Sequence, residues 1–203
     1  MRARAPRRRR DDAGFTLVEV AIAMLVLSVL LAVFVRAVSL MTSTTTRVTT
    51  TGEAATEGRA ASDALGRQLG TATATNTPVL AGGNWYLEFS VDEVKAGADR
   101  QCNQWRYQPS SQRLEYRTWS TVTLAATPWI TVSDAVVNNT STQPPFAVYA
   151  SDSAFMLPRV AVDLRLATTA GSVVQVQGQY TLRNSVDAPP PGPSTVCTQL
   201  GRP

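Results

Sequence analysis

Histidine is absent from the 203 residues, lysine occurs once, at Lys95, and cysteine twice. Without an imidazole, Ser-His-Asp and Cys-His nucleophilic catalysis, zinc sites with histidine ligands and histidine pH switches are excluded. A single lysine leaves little room for Schiff-base chemistry, and no Gly-x-x-x-x-Gly-Lys-Ser/Thr string exists to cradle a phosphate. Basic charge is also missing from most of the chain. Residues 1–14 hold six arginines against Asp11 and Asp12 and so carry the whole net charge of +4. From Phe15 onward 13 basic and 13 acidic side chains cancel, and a neutral body argues against nucleic acid as a partner.

What is present begins directly after the basic block. Residues 15–35, FTLVEVAIAMLVLSVLLAVFV, contain Glu19 as the only charged side chain. As a helix these 21 residues span about 32 Å, enough for the roughly 30 Å hydrocarbon core of a bilayer. Six arginines before the segment and only Arg36 immediately after it place the amino end in the cytoplasm by the positive-inside rule. Three N-termini have this form: a cleaved signal peptide with a small-residue site around Ala37-Val38-Ser39, a plain signal anchor, and a prepilin leader. The first has an apolar region shorter than this one, and neither of the first two explains an acid near the membrane face.

Gly14-Phe15-Thr16-Leu17-Val18-Glu19 at the head of the apolar segment resembles the signature of type IV prepilins and pseudopilins. The resemblance implies a prepilin peptidase as partner, which cuts between Gly14 and Phe15 and N-methylates Phe15. It implies other pilin or pseudopilin subunits as partners too, with Glu19 meeting the Phe15 amine of a neighbour. The chemistry is sensible on its own terms: the new ammonium and Glu19 lie one helical turn apart in a low-dielectric setting where either charge alone is costly. The bland alternative for Glu19 is an acid that snorkels to the membrane edge. No proline occurs between Phe15 and Pro78, which departs from the kinked helix of many major pilins.

The composition divides the chain into a leader at 1–14, a transmembrane and assembly helix at 15–41, an amphipathic second half at 42–70, a β-rich extracytoplasmic head at 71–187 and a Pro-rich tail at 188–203. Residues 42–51, TSTTTRVTTT, have seven threonines and weak helix propensity, so fraying is expected there. Ala54, Ala61, Leu65 and Leu69 then recur at helical spacing, as a face that packs on a sheet does, with Gly52, Gly58 and Gly66 weakening it. Beyond residue 70 the period becomes 2. In WYLEFSV, Trp85, Leu87, Phe89 and Val91 form the inward face and Tyr86, Glu88 and Ser90 the outward one. QWRYQ at 104–108 and RLEYRTW at 113–119 read as a hairpin, as do RVAVDLRLA and VVQVQGQYTL, with shorter strands at 128–132 and 146–149. The fold class is therefore α+β, pilin-like, with a long N-terminal helix on an antiparallel head. The order of strands over 71–185 resembles the heads of J-type minor pseudopilins and related minor pilins.

Cys102 and Cys197 both fall on the extracytoplasmic side, where a disulfide is permitted. Closing a loop of nearly a hundred residues contributes about 4 to 5 kcal/mol in the chain-entropy model. Two unpaired buried thiols are the alternative, and no Cys-x-x-Cys, lysine or histidine favours redox work. Asp92, Glu93 and Asp99 cluster in a loop but match no defined calcium loop, so a solvated acidic loop is the better reading and no metal or other cofactor is expected. Asn138 and Asn139 each open an Asn-x-Ser/Thr pattern. Trp105, Tyr107, Arg113, Tyr116, Arg117 and Trp119 mix rings and guanidinia on one hairpin, which suits either base stacking or cross-strand packing; neutrality of the mature chain favours packing. A non-enzymatic minor pilin or pseudopilin of a type IV pilus or type II secretion-like filament is expected, in the cytoplasmic membrane. A non-polymerising, single-pass anchored binding domain and a DNA-uptake minor pilin are the alternatives.

Overall fold

A computed structural model describes residues 16–92, 100–185, 196, 197, 200 and 202. One helix, α1, runs Leu17–Leu69, and the chain divides into two units, Met1–Thr46 and Arg47–Pro203. In the first unit every large apolar side chain from Leu17 to Met41 is exposed, Leu17 by 85% and Phe34 by 65%. A surface apolar all round is stable only when lipid or other protein covers it.

The threonine run does not fray. Thr42, Thr44, Thr45 and Thr46 each donate their hydroxyl to the carbonyl four residues earlier at 2.9 to 3.0 Å. These back-bonds satisfy the hydroxyls within the helix, and the β-branched residues continue it despite their low propensity.

In the second unit, residues 47–69 bury a face made of Ala54, Gly58, Ala61, Ser62, Leu65 and Leu69. Among the described residues nine strands follow: β1 Ala74–Thr75, β2 Val79–Ala81, β3 Asn84–Asp92, β4 Arg100–Gln108, β5 Arg113–Ser120, β6 Ile130–Ser133, β7 Phe146–Tyr149, β8 Arg159–Ala167 and β9 Val173–Thr181. They form two antiparallel sheets, one ordered β1-β3-β4-β5-β6 with β2 also on β3, the other β7-β8-β9. The β2–β3 turn is Gly82-Gly83 with both φ positive, at 56° and 81°, the backbone that a two-residue hairpin needs and glycine adopts without strain. Between the sheets, Val137 N–H donates to Arg165 O at 2.7 Å and Ala167 N–H to Ala135 O at 2.8 Å, so the segment after β6 stitches onto β8. Leu65 and Leu69 join Leu87, Phe89, Trp105, Leu114, Phe146, Val162 and Leu164 in one core.

Two details overturn the sequence reading. Gly58 and Gly66 are contact points: a Cβ on Gly58 would come 2.7 Å from Leu166 and Val176, and one on Gly66 would run into the Tyr180 ring. Their missing side chains let α1 seat closely on β8 and β9, where Ser62 Oγ and Tyr180 Oη lie 2.7 Å apart. Second, the alternation in β3 does not separate core from solvent. Tyr86, Glu88 and Ser90 are 1%, 2% and 1% exposed, as buried as Leu87 and Phe89. Both faces of this central strand are covered, the second by residues next to the carboxy terminus.

Candidate assembly site

Glu19 lies in the first turn of α1 and is exposed. Thr16 caps that turn: Glu19 N–H donates to Thr16 Oγ1 at 3.3 Å and Val20 N–H to Thr16 O at 3.1 Å. Thr16-Leu17-Val18-Glu19 is therefore an N-cap with a glutamate at its third helical position, the sequence pattern of a capping box. The pattern was visible in the sequence but is hidden when Thr16 is read only as one polar residue in an apolar run. Its effect is to put the Glu19 carboxylate at the positive end of the helix dipole, where a negative charge is favoured. Gly14 and Phe15, the expected cleavage pair and methylation point, lie outside the described residues. Further along, Ser28 Oγ donates to Leu25 O at 2.8 Å, so that hydroxyl is consumed within the helix.

In the head, the arginine-and-aromatic hairpin splits over two faces. Trp105 and Tyr116 face inward and stack at 5.2 Å between centroids, while Trp105 Nε1 donates to Gln68 Oε1 on α1 at 2.8 Å. Tyr107 is buried with its hydroxyl donating to Asn138 O at 3.0 Å, and burial pushes its pKa above the ordinary value. On the other face, Arg106 pairs with Glu115 at 2.6 Å, and the Trp129 ring lies 3.9 Å from the Arg106 guanidinium and 4.6 Å from that of Arg117. Arg117 also donates Nε to Gln104 Oε1 at 2.7 Å; burial, and then the neighbouring Arg106 charge, hold its pKa below the usual guanidinium value. These guanidinia and rings are spent on each other, as cross-strand packing requires, and do not form an open stacking platform.

Cys102 and Cys197 are bridged, with the sulfurs 2.06 Å apart. Trp119, Val196 and Leu200 pack around the pair. Beside it the Glu88 carboxylate is closed on all sides: Asn76 Nδ2 donates to Oε2 at 2.8 Å, Gln104 Nε2 to Oε1 at 2.7 Å, and Arg202 makes a two-point contact at 2.7 and 3.1 Å. Asn76 Nδ2 also donates to Val196 O. A buried carboxylate is tolerated when donors and a cation surround it. Neither Glu88 nor Arg202 stood out in the sequence, because their meeting depends on a separation of 114 residues.

The remaining candidates separate cleanly. Glu93 and Asp99 lie outside the described residues, and Asp92 ends β3. Among the described residues no group of three or more His, Cys, Asp or Glu side chains gathers as a metal site would require. Asn138 is 5% exposed and fully engaged: Nδ2 donates to Gln143 O and Asp163 O, and Oδ1 accepts from Arg165 N–H. Its amide pins the loop before β7 onto β8 and is not displayed for modification. Asn139 Oδ1 accepts from Ser141 N–H at 2.9 Å, making a local turn.

Among the described residues, α1 is the one helix long and apolar enough to cross a membrane. Residues 9–35 match the prokaryotic N-terminal methylation motif. That span contains Gly14, Phe15 and Glu19, and over it the chain is similar to type IV pilin-like N-termini, with a long apolar helix followed by an antiparallel β head. No curated protein and no solved structure matches the chain.

Proposed function

We propose that this protein is a minor pilin or pseudopilin, a structural, non-enzymatic subunit of a type IV pilus or type II secretion-like filament. The observation that carries the reading is the methylation motif over residues 9–35, which runs into a helix whose apolar surface is bare from Leu17 to Met41. Prepilin peptidase removes residues 1–14 at the cytoplasmic face and methylates Phe15. The head lies on the extracytoplasmic side, with the orientation set by the arginines of the leader. Assembly then covers the apolar helix with those of neighbouring subunits, and Glu19 receives the Phe15 ammonium of a neighbour. That pairing sets register, because a buried charge in any other alignment stays uncompensated. The neutral head, with Arg106 and Arg117 of its aromatic hairpin already paired or stacked, supports a structural role over uptake of DNA.

The test is the incorporation of Glu19→Ala into filaments in cells that contain the peptidase and the partner subunits. Loss of incorporation with normal membrane level supports the reading. Normal incorporation of the variant removes the register-setting role of Glu19, and an unaltered chain that never enters a filament favours a single-pass anchored domain that does not polymerise.

A further inference from the structure

The outward face of the β7-β8-β9 sheet takes no part in the packing of α1, and it floors a groove of about 720 Å³. That volume lies within the few-hundred to thousand Å³ range of small-ligand sites. The register explains the cavity. Ala147, Ala161 and Gln179 form one row across the three strands, so two of three side chains in that row are methyl groups. Around this low floor stand Asp163, Arg165, Gln175, Gln177, Gln179 and Tyr149.

The polar groups are held in place but only partly used. Gln175 Nε2 donates to both Asp163 oxygens at 2.9 Å, and Gln177 Nε2 donates to Asp163 Oδ2 at 3.2 Å. Those bonds fix two amide planes and occupy their nitrogens, leaving their carbonyl oxygens to accept. Arg165 Nε is buried with no hydrogen-bond partner among the described residues, which costs free energy unless something supplies an acceptor. Asp163 and Arg165 together leave the lining without net charge. Tyr149, 48% exposed, adds an aromatic ring.

We propose that this groove binds a neutral oligosaccharide. A pyranose presents hydroxyls that each donate and accept, and planar amide, carboxylate and guanidinium groups in a fixed row answer both functions. Its apolar C–H face matches the Tyr149 ring. A polyanion is disfavoured because the one arginine is balanced by Asp163. An extended peptide adds to a strand edge through backbone groups, whereas β8 under this groove is paired on both sides, with β7 and β9. The proposal does not depend on how the chain is anchored or whether it polymerises.

The experiment is calorimetric titration of the full chain in lipid nanodiscs, free of sugar-headgroup detergent, with cellohexaose, chitohexaose and maltohexaose in turn. Saturable binding of at least one is expected, weakened tenfold or more by Gln179→Ala and by Gln177→Ala. Val122→Ala, at an exposed residue outside the groove, is expected to leave it unchanged. The Gln179 side chain makes no hydrogen bond among the described residues, so unaltered circular dichroism is expected of that variant and separates lost binding from lost structure. No binding of any of the three sugars overturns the proposal. So does binding that persists undiminished in both glutamine variants, or saturation by an uncharged Gly-Ser decapeptide where the sugars fail.

Discussion

At the scale of single residues, the glycines of α1 show how one residue type carries opposite meanings. Gly52 has nothing within 4 Å of where a Cβ would stand, so Gly52→Ala is expected to stabilise by up to about 1 kcal/mol through helix propensity alone. Gly66→Ala brings a methyl into the Tyr180 ring and is expected to destabilise by about 1 to 3 kcal/mol despite the same propensity gain. Thermal unfolding of the two variants side by side checks the pair; stabilisation by both would mean that α1 does not seat on β9 at Gly66. Tyr107 supplies a pH dependence. Its folded pKa is raised by burial above the ordinary value of 10.0, so its contribution is intact below that value and is lost as pH rises from there toward the folded pKa. Denaturation between pH 8 and 11 is expected to show an alkaline fall in stability that Tyr107→Phe reduces, at a cost of about 1 kcal/mol at neutral pH for the lost hydrogen bond.

At the scale of elements, the carboxy-terminal residues act as a cover over β3 and β4. Arg202→Ala leaves the Glu88 carboxylate buried without its cation, and about 2 kcal/mol of destabilisation is expected. Arg202→Ala combined with Glu88→Gln is expected to recover part of that loss, because the uncompensated charge is then gone; no recovery in a double-mutant cycle would show that the two side chains are uncoupled. Removing the Cys102–Cys197 bridge is expected to cost about 2 to 4 kcal/mol, read as a lower unfolding midpoint under reducing conditions. Elements also mark the limit of pattern reading. β8 alternates buried and half-buried residues along its whole length, and its pairing with β9 follows from the period-2 pattern and the short Thr-Thr-Ala-Gly-Ser connection. In β3 the same period-2 pattern is present, yet Glu88 is as buried as Leu87, since hydropathy alternation reports chemistry and cannot report which distant segment covers a face.

At the scale of the whole molecule, the first twenty residues and the head answer different questions. The mature chain is expected to begin at Phe15 with one added methyl when the peptidase is present, a result that intact mass of the membrane-extracted protein reads directly. A start at Met1 or near Leu40 would remove the prepilin reading while leaving the head's fold untouched. Thr16 and Glu19 serve both questions at once, because the N-cap that begins α1 also fixes the acid at the helix end where a neighbour's ammonium would arrive.

What the sequence determined by itself is local or periodic: the apolar span, the charge of residues 1–14, the methylation motif, the helix stripe ending at Leu69 and the clean hairpin of β8 and β9. Each depends on residues a few positions apart, where backbone geometry alone dictates which side chains are neighbours. Only the tertiary structure decided the cover over Glu88, the close seating at Gly58 and Gly66, the pinning of β8 by Asn138 and the groove on the outer face of β7-β8-β9. The groove reflects a sheet face that α1 leaves uncovered, and the others arise where segments 25 to 118 residues apart meet, with contacts that follow from chain topology and complementary shape, which no local spacing encodes.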